Sequence, residues 1–437
     1  MMMRMAILGA ALVASFANVA RAEVNIQPIT SPGGIEAWLV EETSIPFGAI
    51  EVWFQGGASL DAPGKRGAVN LMTGLLEEGA GDMDARAFAE AVEELSVRYS
   101  WRAYDDTLTV SIEFLSENRE AALDLIREAL INPRFDQDAI DRVRQQVLAG
   151  LKSDATDPDE IMSRTFDALA FGDHPYATDI SGTEESVSAL TREDLIAAKD
   201  ATMNQARMFV SAVGDISAEE LGPILDRLLG DLPKEAPPLP GPAGFALEGG
   251  VTVVDFDVPQ SVALFGHTGL TRDDPDFFAA FVLNQILGGR GFDSRLMTEV
   301  REKRGLTYGI NSFLVPKDHA ALVLGQFSSA NDRIAEAIEV VKAEWARAGD
   351  ISQEDLDRAK TYLTGAYPLR FDGNATIANI LVGMQMEDLG LGYIAARNAN
   401  VNAVTLEDIR RVAARLYRPE DLHFVVVGRP EGLQSSE

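Results

Sequence analysis

Val187-Ser-Ala-Leu-Thr-Arg-Glu-Asp-Leu-Ile196 returns later in the chain as Val401-Asn-Ala-Val-Thr-Leu-Glu-Asp-Ile-Arg410. Met208-Phe-Val-Ser-Ala-Val-Gly214 returns in the same way as Leu422-His-Phe-Val-Val-Val-Gly428. Both pairs are offset by 214 positions, so the chain reads as an internal repeat. The surrounding pattern repeats with them. Strand-like runs at 35–42, 48–55, 97–104 and 107–114 are matched by runs at 251–257, 261–268, 306–315 and 320–327. Thr107–Phe114 alternates apolar and polar residues, as a half-buried strand does. Helical stretches at 118–131, 137–152 and 158–171 are matched at 331–348, 352–366 and 374–390. Each half interleaves sheet and helix, which suits an α+β unit with an antiparallel-rich sheet packed against helices.

Between the halves runs Pro233-Lys-Glu-Ala-Pro237-Pro238-Leu-Pro240-Gly-Pro242-Ala-Gly244. Five prolines in twelve residues exclude helix and central strand and predict a stiff, extended spacer. At the start, Arg4 precedes the apolar run Met5–Ala14, and Val19-Ala20-Arg21-Ala22 offers an Ala-x-Ala cleavage site. The expected divisions are a signal peptide over 1–22, a first domain over 23–232, a linker over 233–246 and a second domain over 247–437. The run Met5–Ala14 is short for a membrane span, and export to the periplasm of a Gram-negative bacterium is expected.

Composition narrows the chemistry. The formal charge is −30 and the acidity is spread along the chain, which argues against nucleic-acid binding, since phosphates demand a basic footprint. The plain reading is a well-solvated acidic surface. The absence of cysteine removes thiolate metal sites, disulfides and cysteine nucleophiles. The four histidines, at 174, 267, 319 and 423, are too far apart in sequence to pair on one helix face. Asp154-Ala-Thr-Asp157-Pro-Asp159-Glu160 lacks the spacing of a calcium loop and reads as an ordinary acidic loop. No Gly-x-Ser-x-Gly elbow, phosphate loop or dinucleotide fingerprint is present.

Residues 67–78, Gly-Ala-Val-Asn-Leu-Met-Thr-Gly-Leu-Leu-Glu-Glu, carry Leu71, Met72, Leu75 and Leu76 at the spacing of a buried helical stripe. Asn70, Thr73, Gly74 and Glu77 fall on the opposite face of that expected helix. In the second half, Leu287-Gly-Gly-Arg-Gly-Phe-Asp-Ser-Arg-Leu296 precedes Arg301-Glu-Lys-Arg-Gly-Leu-Thr-Tyr308. Glycines 288, 289 and 291 read as a helix C-cap and a loop of close backbone approach.

These phrases, with Asn132-Pro-Arg-Phe and His174-Pro-Tyr in the first half, the twin domains and the proline-rich linker, resemble the pitrilysin–insulinase family of zinc peptidases. That family includes the mitochondrial processing peptidases and their small bacterial relatives. The resemblance covers essentially the whole mature chain. It implies two roll-like α/β domains facing each other as a clam shell. It also implies a first domain that supplies His-x-x-Glu-His and a distal Glu, and a second that supplies an Arg–Tyr pair and a glycine loop beside the substrate cleft.

This chain departs at every metal position. Asn70 and Gly74 stand where the histidines belong, Thr73 where the glutamate base belongs, and Ala149 or Gly150 where the distal glutamate belongs. Zinc needs three protein ligands and a polarised water, so no metal is expected in this chain. Arg301 and Tyr308 are retained, and the resemblance implies that they bind substrate, with Gly288 and Gly289 beside the cleft. The expected role is that of a non-catalytic, substrate-binding subunit. It would deliver Arg301 and Tyr308 to a homologous partner that carries the zinc and cleaves peptides. In isolation the chain could form a homodimer. A non-proteolytic scaffold or peptide-holding protein of the same fold is the alternative.

Overall fold

Two open sheets carry the fold. The computed structural model describes residues 25–289, 291 and 293–436, so the expected leader 1–22 and positions 290 and 292 of the glycine loop lie outside the described residues. The first half contains β1 (Gln27–Thr30), β2 (Glu36–Glu41), β3 (Phe47–Gln55), a small hairpin of β4 (Gly79–Ala80) and β5 (Met83–Asp84), β6 (Arg98–Ala103), β7 (Thr107–Leu115) and β8 (Met208–Gly214). The second half contains β9 (Gly250–Asp255), β10 (Gln260–Thr268), β11 (Ile310–Pro316), β12 (Ala321–Ala330) and β13 (His423–Gly428).

The first sheet has the order β1-β2-β8-β3-β7-β6, and the second, written from its far edge, β9-β13-β10-β12-β11. Apart from the extra β1, the orders correspond strand for strand. Among the described residues the parallel pairs are β2–β8 in one sheet and β9–β13 in the other, again equivalent. The repeat seen in the sequence is therefore a repeat of topology, and both sheets are antiparallel-rich.

The helices follow the same duplication. The first half has α1 (Ala68–Thr73), α2 (Ala85–Leu95), α3 (Arg119–Ile131), α4 (Gln137–Asp154), α5 (Pro158–Phe171), α6 (Glu184–Ser188), α7 (Arg192–Thr202) and α8 (Ala218–Leu229). The second has α9 (Phe277–Gly288), α10 (Ile334–Ala346), α11 (Gln353–Ala366), α12 (Asn374–Met386), α13 (Tyr393–Ala403) and α14 (Leu406–Leu416). The repeated phrase that opens the sequence argument forms α7 and α14. Thr191 and Thr405 cap them, each in a reciprocal box with the Asp three residues on. The acidic loop near 157 is likewise ordinary, because Asp157 caps α5 by accepting the Asp159 N–H at 2.9 Å.

Three expectations change. The run 306–315 becomes a strand only from Ile310, because Thr307 closes a turn in which its hydroxyl donates to the Gly309 carbonyl at 2.8 Å. The helix expected over 67–78 is helical only over Ala68–Thr73, followed by turns. Thr107–Val110 is buried at every residue rather than on alternate ones.

The last difference has a cause in the whole molecule. One face of each sheet packs on helices of its own half, and the other is covered by a helix of the opposite half. Ala378, Leu381 and Met384 of α12 pack on Ala49 of β3 and Val213 of β8. Met162, Phe166 and Ala170 of α5 pack on Val262 and Leu264 of β10 and on Val425 and Val427 of β13. Sheets covered on both faces have strands that are buried throughout, and all six residues of β13 are buried.

Equivalent hairpin loops also meet between the halves. Lys317 Nζ lies 2.6 Å from an Asp105 carboxylate oxygen, and the Gln55 amide donates to Asp318 at 2.6 Å. The Tyr176 hydroxyl donates to Asp106 at 2.6 Å and accepts the His319 N–H at 3.1 Å. Burial raises the Asp106 carboxyl above the usual carboxylate range. The proline-rich linker is tied to this junction, with the Ala243 N–H donating to the His319 carbonyl and the Ala246 N–H to the Ala170 carbonyl, both at 2.8 Å. It is an extended strap laid on the protein rather than a free spacer.

Candidate functional site

The degenerate metal positions come first in the chain. Asp61 fixes the start of α1 by accepting the Gly67 N–H at 2.9 Å and the Val69 N–H at 2.8 Å. Burial pushes its carboxyl up to about 6, against the lowering effect of those donors and of Arg66. Leu71, Met72, Leu75 and Leu76 are fully buried, so the apolar stripe lies where the sequence puts it. Asn70, Thr73 and Gly74 line an open depression of about 400 Å³ together with Trp101 and Arg102 of the sheet edge and Val143 and Val147 of α4.

The donors in this depression do not suit zinc. The Thr73 hydroxyl donates to the Val69 carbonyl at 2.7 Å and is turned back onto its own helix. Gly74 has no side chain, and α4 presents valines. Gly150 is exposed further along α4 with open space around it. Asn70 is left as the one amide, beside the cationic Arg102, where zinc requires at least three protein donors. Among the described residues, no group of three or more His, Asp or Glu side chains is placed to hold a metal ion.

In the second half α9 carries the same buried stripe at an offset of 211, with Val282, Leu283, Ile286 and Leu287 buried as Leu71, Met72, Leu75 and Leu76 are. The Asn284 amide donates to the Ser312 carbonyl at 2.9 Å and accepts the Ser312 hydroxyl at 2.8 Å, which pins α9 to the edge strand β11. Gly288 permits that approach, because a Cβ there would lie 2.2 Å from Ser312 Oγ. Gly288 and Gly289 are both buried against their surroundings, at a helix end. They do not line the depression that holds the Arg–Tyr pair.

Arg301 and Tyr308 are brought together. Arg301 sits in a wide helical turn over Met297–Glu302, in which the Lys303 N–H reaches the Thr298 carbonyl at 3.0 Å. Such five-residue closures are rare and recur at functional sites. Gly305, at φ 60°, reverses the chain, and its N–H donates to the Arg301 carbonyl at 2.8 Å. The chain then turns through Thr307 and leaves Tyr308 84% exposed just before β11. Taken alone, Tyr308 reads as a core strand residue, and the structure places it outside both strand and core.

Arg301 and Tyr308 line one depression of about 720 Å³ with Gln260, Glu302, Ser328 and Asp332. A second depression of about 480 Å³ shares Gln260 and Ser328 and reaches Asp159 and Met162 of α5. The two adjoin at Gln260 and Ser328, so the trough that holds Arg301 and Tyr308 borders a wall from α5 of the first half. A guanidinium fork and an exposed phenol can donate hydrogen bonds to carbonyl oxygens.

Residues 38–184 match the family model for insulinase, peptidase family M16, and residues 189–363 match the model for the peptidase M16 inactive domain. The chain belongs to the insulinase peptidase family. Within it the chain is an inactive homologue, with Asn70, Thr73 and Gly74 in place of the metal motif. A crystal structure described as a peptidase M16 inactive domain from Pseudomonas fluorescens superposes with a TM-score of 0.86 at 28% identity, covering 94% of this chain and 100% of that one. A Helicobacter pylori protein named a non-peptidase homolog is 26% identical, over 89% of this chain and 90% of its own. A probable beta subunit of the mitochondrial-processing peptidase of Arabidopsis thaliana is 24% identical, over 91% of this chain and 77% of its own.

The four histidines also find their places. The His174 and His319 rings lie 5.7 Å apart at the junction, a proximity no sequence spacing discloses. His174 is held by the Gly241 carbonyl at 3.2 Å and accepts the Tyr176 N–H at 3.2 Å. His267 accepts the Trp345 indole N–H at 3.0 Å, and His423 contacts Thr252 and the Glu248 carbonyl. All four serve the packing of the fold.

Proposed function

We propose that this chain is the non-catalytic, substrate-binding subunit of a heteromeric zinc peptidase. A homologous partner carrying His-x-x-Glu-His holds the zinc and cleaves the peptide, and this chain supplies Arg301 and Tyr308 in trans. The observation that carries the reading is Tyr308, exposed in the same trough as Arg301 while the first-half site has no metal donors. The Arabidopsis relative is named a subunit, which supports a partnered role. The leader expected at 1–22 supports a periplasmic location for the complex, and intact Met1–Ala22 on protein recovered from the native host would count against it.

The test is reconstitution. The purified chain, a zinc-motif homologue from the same genome and their mixture are each assayed on peptides. Activity in the mixture far above either chain alone is the expected result, and equal activity with and without this chain overturns the reading. A scaffold role remains as the second reading, because the similar Helicobacter pylori protein is named a non-peptidase homolog. It takes over if the chain binds its partner without changing turnover.

A further inference from the structure

Three arginines converge in the second half, away from the trough and from the junction of equivalent hairpin loops. Arg272 lies in the loop before α9, Arg370 in the turn between α11 and α12, and Arg397 in α13. Two tyrosines, Tyr367 and Tyr393, share the cluster. The Arg397 guanidinium carbon lies 4.5 Å from the Tyr367 ring centre and 5.4 Å from that of Phe281. The Arg272 carbon lies 5.2 Å from the Tyr393 ring centre and 4.2 Å from that of Phe277. Arg272 donates to the Tyr393 hydroxyl.

Phe277 and Phe281 stand one turn apart on α9, and Tyr393 and Arg397 one turn apart on α13, which sets Arg272 and Arg397 on neighbouring turns. The Arg370 N–H donates to the Tyr367 carbonyl at 3.1 Å. Arginine stays charged at any working pH, so three positive charges are held near one another. In a chain with a formal charge of −30, arginines ordinarily find carboxylates. Among the described residues, these three form no ion pair within 4.0 Å. Asp273, beside Arg272 in its loop, accepts the Thr271 hydroxyl at 2.6 Å, and Glu387 at the end of α12 is held toward its neutral form by burial and by Asp318.

Donors on two residues are left over inside the cluster. Arg397 is 6% exposed, and its Nη1 serves the Leu363 carbonyl at 2.7 Å and the Asn398 amide oxygen at 2.9 Å. Its Nε and Nη2 make no hydrogen bond among the described residues. Tyr367 is 7% exposed, and its buried hydroxyl has no partner. A buried hydroxyl without a partner costs free energy that a suitable ligand restores. Stacking on aromatic faces accounts for the orientation of the guanidiniums but leaves their mutual repulsion uncompensated.

We infer that the Arg272–Arg370–Arg397 cluster, with Tyr367 and Tyr393, is a binding site for an oxyanion, a phosphate or carboxylate group held by guanidinium forks. Arg370 lies on the exposed turn and gives the ligand its way in. The site involves neither Arg301 nor Tyr308, so it stands or falls independently of the peptidase reading. A carboxylate source is the free end of a peptide, and a phosphate source is a phosphorylated small molecule or inorganic phosphate. The chemistry of recognition is shared.

Isothermal titration of the full chain in a low-salt chloride buffer tests it with three probes. These are inorganic phosphate, an acetylated peptide with a free C-terminal carboxylate, and the same peptide amidated. Saturable one-site binding of phosphate, or of the acid peptide but not its amide, supports the site and identifies the source. Arg370→Ala, on an exposed turn, is expected to keep the melting temperature and weaken that binding by about ten- to a hundredfold, the scale of a lost charged hydrogen bond. Arg370→Lys keeps the charge without the fork and is expected to fall between. Absence of saturable binding by all three probes overturns the inference, as does affinity unchanged in Arg370→Ala.

Discussion

Tyr308 is the residue on which the functional reading turns, and one atom of it can be tested. Tyr308→Phe removes a hydroxyl from an exposed side chain, so folding and association are expected to survive. If the hydroxyl meets charge developing on the scissile carbonyl oxygen, turnover of the reconstituted complex falls by about ten- to a thousandfold with little change in KM. Arg301→Lys keeps the charge and loses the fork, so KM is expected to rise more than kcat falls. Full activity from both variants in the same assay assigns the pair to structure. A second residue, Glu51, reports on the interior. It is 3% exposed on β3, on the face covered by α12, where it accepts the Ser111 hydroxyl at 2.8 Å. Burial pushes its carboxyl up to about 7, with Glu113 adding to the shift and Arg102 opposing it. The folded chain therefore keeps a proton that the unfolded chain releases near 4.5, the ordinary value of a glutamate. Stability from this group falls as pH rises between those values. Glu51→Gln mimics the protonated form at every pH, so its stability relative to the native chain should climb through that window by about 3 kcal/mol at pH 8. Denaturant unfolding at pH 5.5 and pH 8 measures it, and a gap that does not change with pH would show that Glu51 is already ionised.

At the scale of elements, what was legible depended on how local the signal is. The capped helices α7 and α14 carry a local signal, Thr191 with Asp194 and Thr405 with Asp408 within four residues, yet their sequence is read only as a repeated phrase and not as helices. Strands β2, β3, β6, β7, β9, β10 and β12 were readable from apolar runs, β8 and β13 only as a repeated phrase, and β1 not at all. The turn that exposes Tyr308 was not, because Leu306 and Ile310 flank it and the stretch resembles a continuing strand. The arginine cluster was invisible for the same reason, since its members come from separate elements and no spacing relates them. The degenerate helix α1 was legible in composition and misjudged in length, and its packing sharpens a prediction. A Cβ on Gly74 would lie 3.3 Å from Val143 of α4, and Gly150 offers no ligand from that helix. Asn70→His, Thr73→Glu and Gly74→His together are therefore expected to leave the purified protein without stoichiometric zinc, because the third protein ligand is missing and α4 crowds the second. Elemental analysis showing about one zinc per chain in the triple variant would falsify that account of the lost site.

For the whole molecule the decisive fact is the exchange of α5 and α12, which makes each half part of the other's core. A proline-rich strap alone would let two domains melt separately. The exchange predicts that they cannot. Phe166 of α5 is fully buried between the halves, against Phe245 of the strap and β10 of the opposite sheet. Phe166→Ala removes that ring from a packed interface, at a cost of about 3 to 5 kcal/mol. Because the ring belongs to the first half and its contacts to the second, the loss is expected to lower one common calorimetric transition rather than split the trace in two. The stronger form uses the halves alone. A fragment ending in the linker keeps β3 and β8 but loses Ala378, Leu381 and Met384, so Ala49 and Val213 face water across an uncovered sheet. Such a surface binds hydrophobic dyes and drives association. The fragment is therefore expected to bind dye and aggregate when expressed alone, and to recover when co-expressed with the second half. A first half that is monomeric, dye-silent and cooperatively folded by itself would mean that the exchanged helices decorate two independent domains, and the trough between α5 and Tyr308 would then owe its shape to the linker.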